Sequence, residues 1–330
     1  MRSIDFHAHL VPQCLWNAVG KGREWFGVYQ EKDDKGHVVM WGRRQVPDPK
    51  TRYTPEERLE EMDAIGTDMH VVSVATGLYN YNLPPEQGLQ ASREVNDEIA
   101  GMMRRWPERF SGLATVPMQD VKAAVTELER AVSVLGLKGA MLDTEVNGLA
   151  WDDPGFDPLF KAAEELGAVL FFHPSSARIS GWEGPRRFHL SNTIGNTMED
   201  TLTVAALIFG GVLDRHPSLK AVIAHGGGPA CFGIGRMDRA WELSPQARIH
   251  IQQPPSRYLR RLYYDCITWS EAALRFLIDT VGADRVVLGS DWPWDMGLES
   301  PVQWLNSMEI ITSEEKELIL HKNVERLLGI

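Results

Sequence analysis

The sequence predicts a distorted (β/α)₈ barrel, because short apolar runs alternate with longer amphipathic segments along the chain. The length of 330 residues also suits one such barrel, which needs about 250 residues plus insertions. We therefore expect a single domain over residues 1–330. The predicted strands are Ser3–Phe6, Met69–Ala75, Phe110–Val116, Gly139–Leu142, Val169–Phe172, Leu219–Ala224, Leu262–Asp265 and Val286–Ser290.

The predicted helices begin at capping signals. Thr54-Pro55-Glu56-Glu57 combines an N-cap threonine with proline at the first helical position and glutamate at the third. The threonine oxygen accepts from a free amide of the first turn, and the glutamates favour the positive end of the helix. The same kind of signal occurs at Asp120, Asp157, Ser270 and Thr312.

Two stretches interrupt the alternation, and each follows a predicted strand. Residues 10–53 hold the strand-like segments Glu24–Gln30 and His37–Trp41 around Asp33-Asp34-Lys35-Gly36, so we expect an inserted β-hairpin flap over the barrel mouth. Pro174–Thr197 is rich in Gly, Ser, Arg and aromatic residues and has no periodicity. Because loops after barrel strands carry the chemistry, we interpret it as a substrate-binding loop.

Charge and cysteine usage limit the function classes. The formal net charge of −11 argues against nucleic acid and anionic membranes as partners, since neither attracts an acidic protein. The three cysteines are far apart and lack CxxC spacing, which argues against disulfides and a thiolate metal site. We find neither a targeting leader nor an apolar run of the roughly 18 residues that span a bilayer. We expect a cytoplasmic protein that acts on a small molecule.

Histidine and aspartate side chains end several predicted strands. Residues His7 and His9, in Ile4-Asp5-Phe6-His7-Ala8-His9, lie on the same side of the first strand and face the barrel axis. Other apolar runs end abruptly in His173, His225 and Asp291. The ends of barrel strands converge, and neutral imidazole nitrogens suit borderline ions such as zinc. The sequence therefore predicts a metal site, and the three glycines after His225 would allow the backbone to approach a ligand closely.

These motifs, in this order, resemble the amidohydrolase superfamily, and within it the branch of α-amino-β-carboxymuconate-ε-semialdehyde decarboxylase and related aromatic-acid decarboxylases. The resemblance covers nearly the whole chain and implies one divalent metal ion, zinc or alternatively manganese, with water in an open position. It also implies that His225 is an unligated acid or base that activates that water, although a ligand role for His225 stays open. The motifs are His7-Ala8-His9, His173-Pro174, His225-Gly226-Gly227-Gly228, Tyr264-Asp265 and Gly289-Ser290-Asp291-Trp292-Pro293. The implied metal ligands are His7, His9, His173 and Asp291.

The superfamily pattern favours one metal ion over two. Members with two metals use a carboxylated lysine at the end of the fourth strand. Here Lys138 precedes that strand, and Asp143 or Thr144 follows it.

An acid substrate needs a carboxylate partner, and arginine binds both carboxylate oxygens with its planar fork. Arg236 matches an arginine that enters the neighbouring subunit's site in the resembling decarboxylase, so a homodimer is implied; the alternative is a solvated arginine on a helix surface. Arg44 is our choice for a flap arginine, with Arg43 and Arg52 as alternatives. The aromatic side chains Trp182 and Trp294 would line a pocket for a planar ring or, alternatively, pack the barrel rim.

Together these features predict a metal-dependent nonoxidative decarboxylase, a carbon–carbon lyase, of a small aromatic or unsaturated carboxylic acid. His225 and Asp291 are the predicted proton carriers, and no organic cofactor is expected. Ser175-Ser176-Ala177 stands where the semialdehyde decarboxylases have Trp-Asp-Met, so we expect a different acid as substrate. The alternatives are a metal-dependent hydrolase of an amide, lactone or ester, a hydratase of an unsaturated diacid, and a noncatalytic binding protein.

Overall fold

The computed structural model describes residues 2–33, 36–41, 44–45, 50–175 and 188–330. Its strands are β1 (Ile4–Leu10), β2 (Val28–Asp33), β3 (Gly36–Trp41), β4 (Arg44–Gln45), β5 (Met69–Val74), β6 (Phe110–Gly112), β7 (Gly139–Leu142), β8 (Val169–Phe172), β9 (Lys220–Ile223), β10 (Tyr263–Asp265) and β11 (Val286–Val287). Its α-helices are α1 (Gln13–Gly20), α2 (Pro55–Ile65), α3 (Pro85–Arg105), α4 (Val121–Ser133), α5 (Asp157–Leu166), α6 (Thr197–Phe209), α7 (Val212–Arg215), α8 (Ala230–Leu243), α9 (Glu271–Val281), α10 (Pro301–Ser307), α11 (Ser313–Glu317) and α12 (Asn323–Leu328).

Eight parallel strands form the barrel. Strands β1, β5 and β6 make one hydrogen-bonded group, and β7 to β11 make another. Backbone hydrogen bonds join the two groups on both sides: the Ala114 amide donates to the Gly139 carbonyl beyond β6, and the Phe6 amide donates to the Leu288 carbonyl beyond β11, each at 2.8 Å. The predicted (β/α)₈ barrel is confirmed.

The barrel interior is a packed core that ends directly below the strand-end histidines. Strands β1, β5, β7 and β8 are buried along their whole length, because helices cover the outside and side chains fill the inside. The rings of Phe6 and Phe171 meet edge to face with centroids 5.2 Å apart. One residue further along β1, and just beyond the end of β8, the rings of His7 and His173 meet at 4.6 Å. The core thus supports the histidines from below.

Most of the predicted helix caps are confirmed. Thr54 and Thr312 each form a capping box with the glutamate three residues later. The side chains of Asp120 and Ser270 accept from backbone amides in the first turns of α4 and α9. Each of these contacts joins residues that are three apart in the sequence, so it forms wherever the helix forms.

The predicted cap at Asp157 is wrong. Asp157 is the first residue of α5, because a 3₁₀ turn, Pro154–Phe156, runs directly into the helix. That turn has its own cap, Asp153. The carboxylate of Asp157 instead pairs with the Arg215 guanidinium at 2.9 Å.

The hairpin predicted within residues 10–53 is confirmed, although its first strand begins at Val28 rather than at Glu24. Strands β2 and β3 pair antiparallel, and β4 adds a third strand. The insertion also contains α1, which the sequence reasoning missed. The Trp25 indole donates to the Glu94 carboxylate at 2.8 Å and ties the insertion to α3. A flap position over the barrel mouth stays a prediction.

The predicted loop Pro174–Thr197 is wrong in its last part. Ser191–Asn196 forms a π-helical turn that continues directly into α6, and Gly195 and Asn196 are buried there. The Ser, Asn, Thr and Gly residues of this turn have low helix propensity, but packing against the barrel overrides propensity. Residues 176–187 lie outside the described part of the chain.

Across the described ranges, no helix combines the length and the apolar composition that a membrane span requires.

Candidate metal centre

Four side chains meet at the C-terminal end of the barrel. The Oδ1 atom of Asp291 lies 3.0 Å from His9 Nε2, 3.3 Å from His7 Nε2 and 3.9 Å from His173 Nε2. The Nε2 atoms of His7 and His9 are 3.0 Å apart. All four side chains are buried. The structure therefore brings together the four residues that the sequence singled out as metal ligands.

The opposite ring nitrogen of each histidine faces an acceptor. His7 Nδ1 is 2.7 Å from the Asp265 carboxylate, His9 Nδ1 is 3.2 Å from the Val74 carbonyl, and His173 Nδ1 is 2.8 Å from the Pro174 carbonyl. A neutral imidazole that donates through Nδ1 carries a lone pair on Nε2. Three lone pairs and a carboxylate oxygen are thus directed at one another in a water-poor site.

This arrangement fits a single divalent metal ion. Nitrogen and oxygen ligands at about 2.1 Å from a tetrahedral ion lie about 3.4 Å from each other, and the observed separations from Asp291 Oδ1 bracket that value. The buried Nε2 of His173 has no hydrogen-bond partner among the described residues. An unpaired buried acceptor is costly, and a cation in the cluster would satisfy it.

The electrostatics of the cluster also favour a bound positive charge. Burial would lower the pKa of His7, but its hydrogen bonds to Asp265 and Asp291 raise it to about 10. Burial opposes ionisation of Asp291, yet hydrogen bonds from His7 and His9 hold its pKa well below the usual range. Burial, with His7 nearby, lowers the pKa of His173 well below normal. Without a metal ion, His7 therefore holds a proton on the Nε2 that faces Asp291, and a bound divalent ion would take the place of that proton while His173 stays neutral.

Asp265, at the end of β10, forms hydrogen bonds both to a histidine of the cluster and to the backbone just beyond β9. Its Oδ2 accepts from His7 Nδ1 and, at 2.9 Å, from the His225 amide, while its Oδ1 accepts from the Gly226 amide at 3.0 Å. Sequence reasoning assigned it no role, although Leu262–Asp265 is another apolar run that ends in aspartate. The same strand-end signal would have found it.

His225 lies beside the cluster and is held by a residue that the sequence reasoning missed. The ring centroid of His225 is 4.8 Å from that of His173. His225 Nδ1 is 2.9 Å from Oδ2 of Asp200, a fully buried carboxylate on α6. Burial would lower the pKa of His225, but the charge of Asp200 raises it. The sequence around Asp200 carries no motif that would have revealed this contact.

The glycines after His225 have a structural role that the sequence did not reveal. Gly227 and Gly228 have positive φ angles of 73° and 55°. A Cβ on Gly228 would lie 2.0 Å from the Thr197 carbonyl, and one on Gly227 would lie 2.7 Å from the Tyr264 ring. Glycine is needed at these two positions because the turn packs against α6 and β10. Close approach of this backbone to a ligand stays a prediction.

An open cleft of about 530 Å³ leads to His225 and Asp291. Its lining includes amide and hydroxyl side chains and the indole of Trp269, which is 55% exposed. The side chains that line it, among the described residues, are Asn192, Thr193, Asn196, Thr197, His225, Ile267, Thr268, Trp269, Asp291, Asp295 and Met296. Trp269 was not predicted, since nothing in its local sequence distinguishes it from a surface tryptophan.

The predicted substrate-binding residues have different outcomes. Trp294 is half-buried, with its ring centroid 6.2 Å from that of His9. Arg236 lies exposed on α8. Trp182 and the side chain of Arg44 lie outside the described parts of the structure. Their roles in binding stay predictions.

Arg52, the alternative flap arginine, packs on an aromatic ring. The guanidinium of Arg52 lies 4.6 Å above the Trp16 ring. Lys138 directly precedes β7, at the opposite end of the strand from the side on which the cluster lies.

A parallel barrel with three histidines and an aspartate gathered at the C-terminal strand ends defines the class of metal-dependent barrel enzymes. The chain belongs to the amidohydrolase family, whose model matches residues 4–330. It is 31% identical to 2-amino-3-carboxymuconate-6-semialdehyde decarboxylase of Dictyostelium discoideum, over 99% of this chain and 91% of the relative. It is 26% identical to gamma-resorcylate decarboxylase of Rhizobium radiobacter, over 83% and 87% of the two chains.

A solved structure agrees with these relatives. The crystal structure of 5-carboxyvanillate decarboxylase LigW from Sphingomonas paucimobilis has a TM-score of 0.85 and 26% identity, and the match covers 100% of this chain and 99% of that one. The family predicted from the motifs is confirmed.

Proposed function

We propose that this protein is a metal-dependent nonoxidative decarboxylase of a small aromatic or unsaturated carboxylic acid. The observation that carries the proposal is the convergence of three imidazole nitrogens and the Asp291 carboxylate beside His225, at the inner end of an open cleft. The names of the relatives agree with it, since they are decarboxylases of acids with unsaturated or aromatic carbon skeletons.

We assign His7, His9, His173 and Asp291 as the ligands of one divalent ion, zinc by first choice and manganese by second. Three neutral nitrogens and one carboxylate suit both ions. His225 is assigned as an unligated group, because it lines the cleft whereas His7, His9 and His173 do not. A ring nitrogen of His225 lies within 4.8 Å of ligand atoms of His7, His173 and Asp291, so a ligand role for His225 is the alternative. Bound in this cluster, the ion would supply positive charge that attracts the carboxylate end of the substrate.

The reaction replaces a carboxylate by a proton. In our scheme the imidazolium form of His225 donates its Nε2 proton to the carbon that bears the carboxylate, which leaves the neutral ring protonated at Nδ1 opposite Asp200. The bond between that carbon and the carboxylate then breaks, and its electron pair returns to the unsaturated system as carbon dioxide leaves. A proton from solvent restores His225, so one acid anion and one proton give the product and carbon dioxide. Asp291 is the second candidate proton carrier, since it lines the cleft.

The cleft suits a flat substrate with neutral polar substituents. Asn192, Thr193 and Asn196 offer amide and hydroxyl groups to hydroxyl substituents, and Trp269 offers an aromatic face. We propose that Trp182, Trp294 and Arg44 also contact the substrate.

We further propose a homodimer in which Arg236 contacts the substrate bound by the partner subunit. Helices α6 and α8 and the turn before α6 expose large apolar side chains, which soluble monomers seldom do over a continuous area. These are Ile194 (49% exposed), Met198 (39%), Leu202 (46%), Phe232 (84%) and Leu243 (64%). Burial of such a face against a second copy would bring Arg236, on α8, to the interface.

The dimer proposal has a direct test. Phe232→Glu should give a monomer in analytical ultracentrifugation, whereas Val134→Glu, at an apolar position 75% exposed at the end of α4, should stay dimeric. Mixing Arg236→Ala with His225→Ala subunits should restore activity that neither variant has alone, because one site in each mixed dimer is then complete. Absence of restoration in mixed dimers would place Arg236 outside the partner's site.

The activity itself is tested by metal analysis followed by a substrate panel. The protein loaded with zinc or manganese is offered hydroxybenzoates and muconate-like acids while carbon dioxide is measured. Release of carbon dioxide equal to the acid consumed supports the proposal. Ring opening or amine release without carbon dioxide would assign a hydrolase instead.

His225→Ala separates the role of His225 from metal binding. The variant should keep its metal and lose at least about 100-fold in turnover, the scale of general acid-base catalysis. The matched control is His216→Ala, since His216 is also a buried histidine with a carboxylate, Glu164, 2.9 Å from Nδ1, but outside the cluster. Loss of metal from His225→Ala would show that His225 is a ligand.

A further inference from the structure

Asp200 is a buried carboxylate whose place in the fold needs an explanation. It is fully buried on α6, a helix whose other buried side chains are mostly apolar. Its Oδ2 contacts His225 Nδ1 at 2.9 Å, whereas its Oδ1 has no hydrogen-bond partner among the described residues. A buried carboxylate with one unsatisfied oxygen lowers stability, so a role in structure alone is a poor explanation.

The backbone around His225 is shaped so that its ring reaches Asp200. His225 itself has a positive φ of 50°, and the turn continues through the glycines that follow. Gly228 packs so closely on the first turn of α6 that a Cβ would lie 2.0 Å from the Thr197 carbonyl. This close approach brings α6, and with it Asp200, next to His225.

Two aspartates hold His225 at two points. Asp265 accepts from the backbone amides of His225 and Gly226, which fixes the main chain. Asp200 faces Nδ1 and fixes the ring. Because a carboxylate accepts hydrogen bonds, Nδ1 carries the proton, and Nε2 is the nitrogen left for the cleft.

We propose that Asp200 is a positioning residue that keeps the ring of His225 in one orientation and one tautomer, with Nδ1 protonated and Nε2 directed towards the substrate. The proposal rests on the proposed function for its effect on turnover, but not for its effect on the ring. An imidazole without this partner would rotate and exchange tautomers, so fewer encounters would present Nε2 correctly.

The experiment uses Asp200→Ala and Asp200→Asn in the full-length, zinc-loaded protein. Both variants should keep the metal content and melting temperature close to wild type, and kcat should fall by about 10- to 100-fold with little change in KM, the range for a group that orients another. Asp200→Asn should be the milder change, since its amide oxygen can still accept from Nδ1. Glu164→Gln is the matched control. Glu164 contacts His216 Nδ1 at the same distance, 2.9 Å, but this pair does not line the cleft.

The second readout does not depend on turnover. Nitrogen NMR of ¹⁵N-histidine-labelled, zinc-loaded protein distinguishes a protonated Nδ1 from an unprotonated one, and His225→Gln identifies the signals of His225. At a pH where the ring is neutral, wild type should show the tautomer protonated at Nδ1, and Asp200→Ala should show a mixture of the two neutral tautomers. If wild type turns over no acid, the proposed function fails while this readout still tests Asp200.

Three results would overturn the proposal. The His225 signals could be identical in wild type and Asp200→Ala, kcat could be unchanged in an active enzyme, or the metal could be lost from Asp200→Asn. The last result would mean that Asp200 acts on the metal cluster and not on His225. Poor folding of Asp200→Ala would leave the decision to Asp200→Asn, which keeps the shape of the side chain.

Discussion

Replacement of Asp265 by asparagine should weaken metal binding and lower the stability of the fold, although Asp265 is not itself a proposed ligand. The Asp265 carboxylate accepts four hydrogen bonds in the buried interior. Oδ2 accepts from His7 Nδ1 at 2.7 Å and the His225 amide at 2.9 Å, and Oδ1 accepts from the amides of Gly226 and Ile267, both at 3.0 Å. No other side chain in the described structure holds both a proposed ligand and the proposed proton carrier.

The size of the effect follows from those four contacts. Asparagine has one acceptor oxygen, so its NH₂ group must face two buried donors whichever way the amide is turned. Each unsatisfied donor costs about 1–3 kcal/mol, and the free energy of unfolding should fall by about 2–6 kcal/mol. His7 also loses the negative partner that orients its ring, which should weaken metal binding about 10- to 100-fold.

Two measurements test this reasoning. Competition with a chromogenic chelator gives the zinc affinity, and denaturant unfolding of the zinc-loaded protein gives the stability. Asp200→Asn is the control for the affinity measurement, because Asp200 contacts His225 and none of the four proposed ligands. The reasoning is refuted if Asp265→Asn is folded and binds zinc as tightly as wild type.

Three further predictions concern the metal, a buried arginine and a helix cap. Removal of the metal by a chelator should lower the melting temperature by about 4 °C, since an ion at 100 times its Kd stabilises by about 2.7 kcal/mol and a chain of 330 residues unfolds with an entropy of about 2.1 cal/mol/K per residue. Titration with zinc should restore the melting temperature, and a melting temperature independent of zinc would argue against the site. Arg58→Met should lower the free energy of unfolding by about 2–5 kcal/mol in denaturant unfolding. The buried Arg58 guanidinium donates to the His9 carbonyl and to His70 Nδ1, and methionine leaves both acceptors unpaired. A variant as stable as wild type would contradict this. Thr312→Ala should cost about 1 kcal/mol in the same assay through loss of the cap, with turnover unchanged, and an effect on turnover would show that the cap matters beyond α11.

The elements that sequence reasoning predicted well are those with local signals. Capping boxes at Thr54 and Thr312 depend on residues three apart, and the barrel strands are continuous apolar runs. The four proposed ligands were found for a related reason, because each lies at or just beyond the end of such a run. Parallel packing then brings those ends together without further information.

The errors have equally physical causes. Asp157 carries a side chain that suits an N-cap. The 3₁₀ turn Pro154–Phe156 runs directly into α5, however, so Phe156 occupies the N-cap position and Asp157 is already helical. The turn before α6 has a composition typical of loops, and tertiary packing overrode it. Its residues Asn192, Thr193 and Asn196 form part of the lining of the cleft.

The amino-acid sequence alone determined the barrel, its family and the identity of the side chains at the strand ends, since each of these depends on patterns a few residues long. Only the tertiary structure decided which groups orient those side chains. Asp200 is 25 residues from His225, and Asp265 is 258 residues from His7. Contacts over such separations arise from the packing of helices and strands, and that packing alone determines which buried carboxylate reaches which imidazole nitrogen.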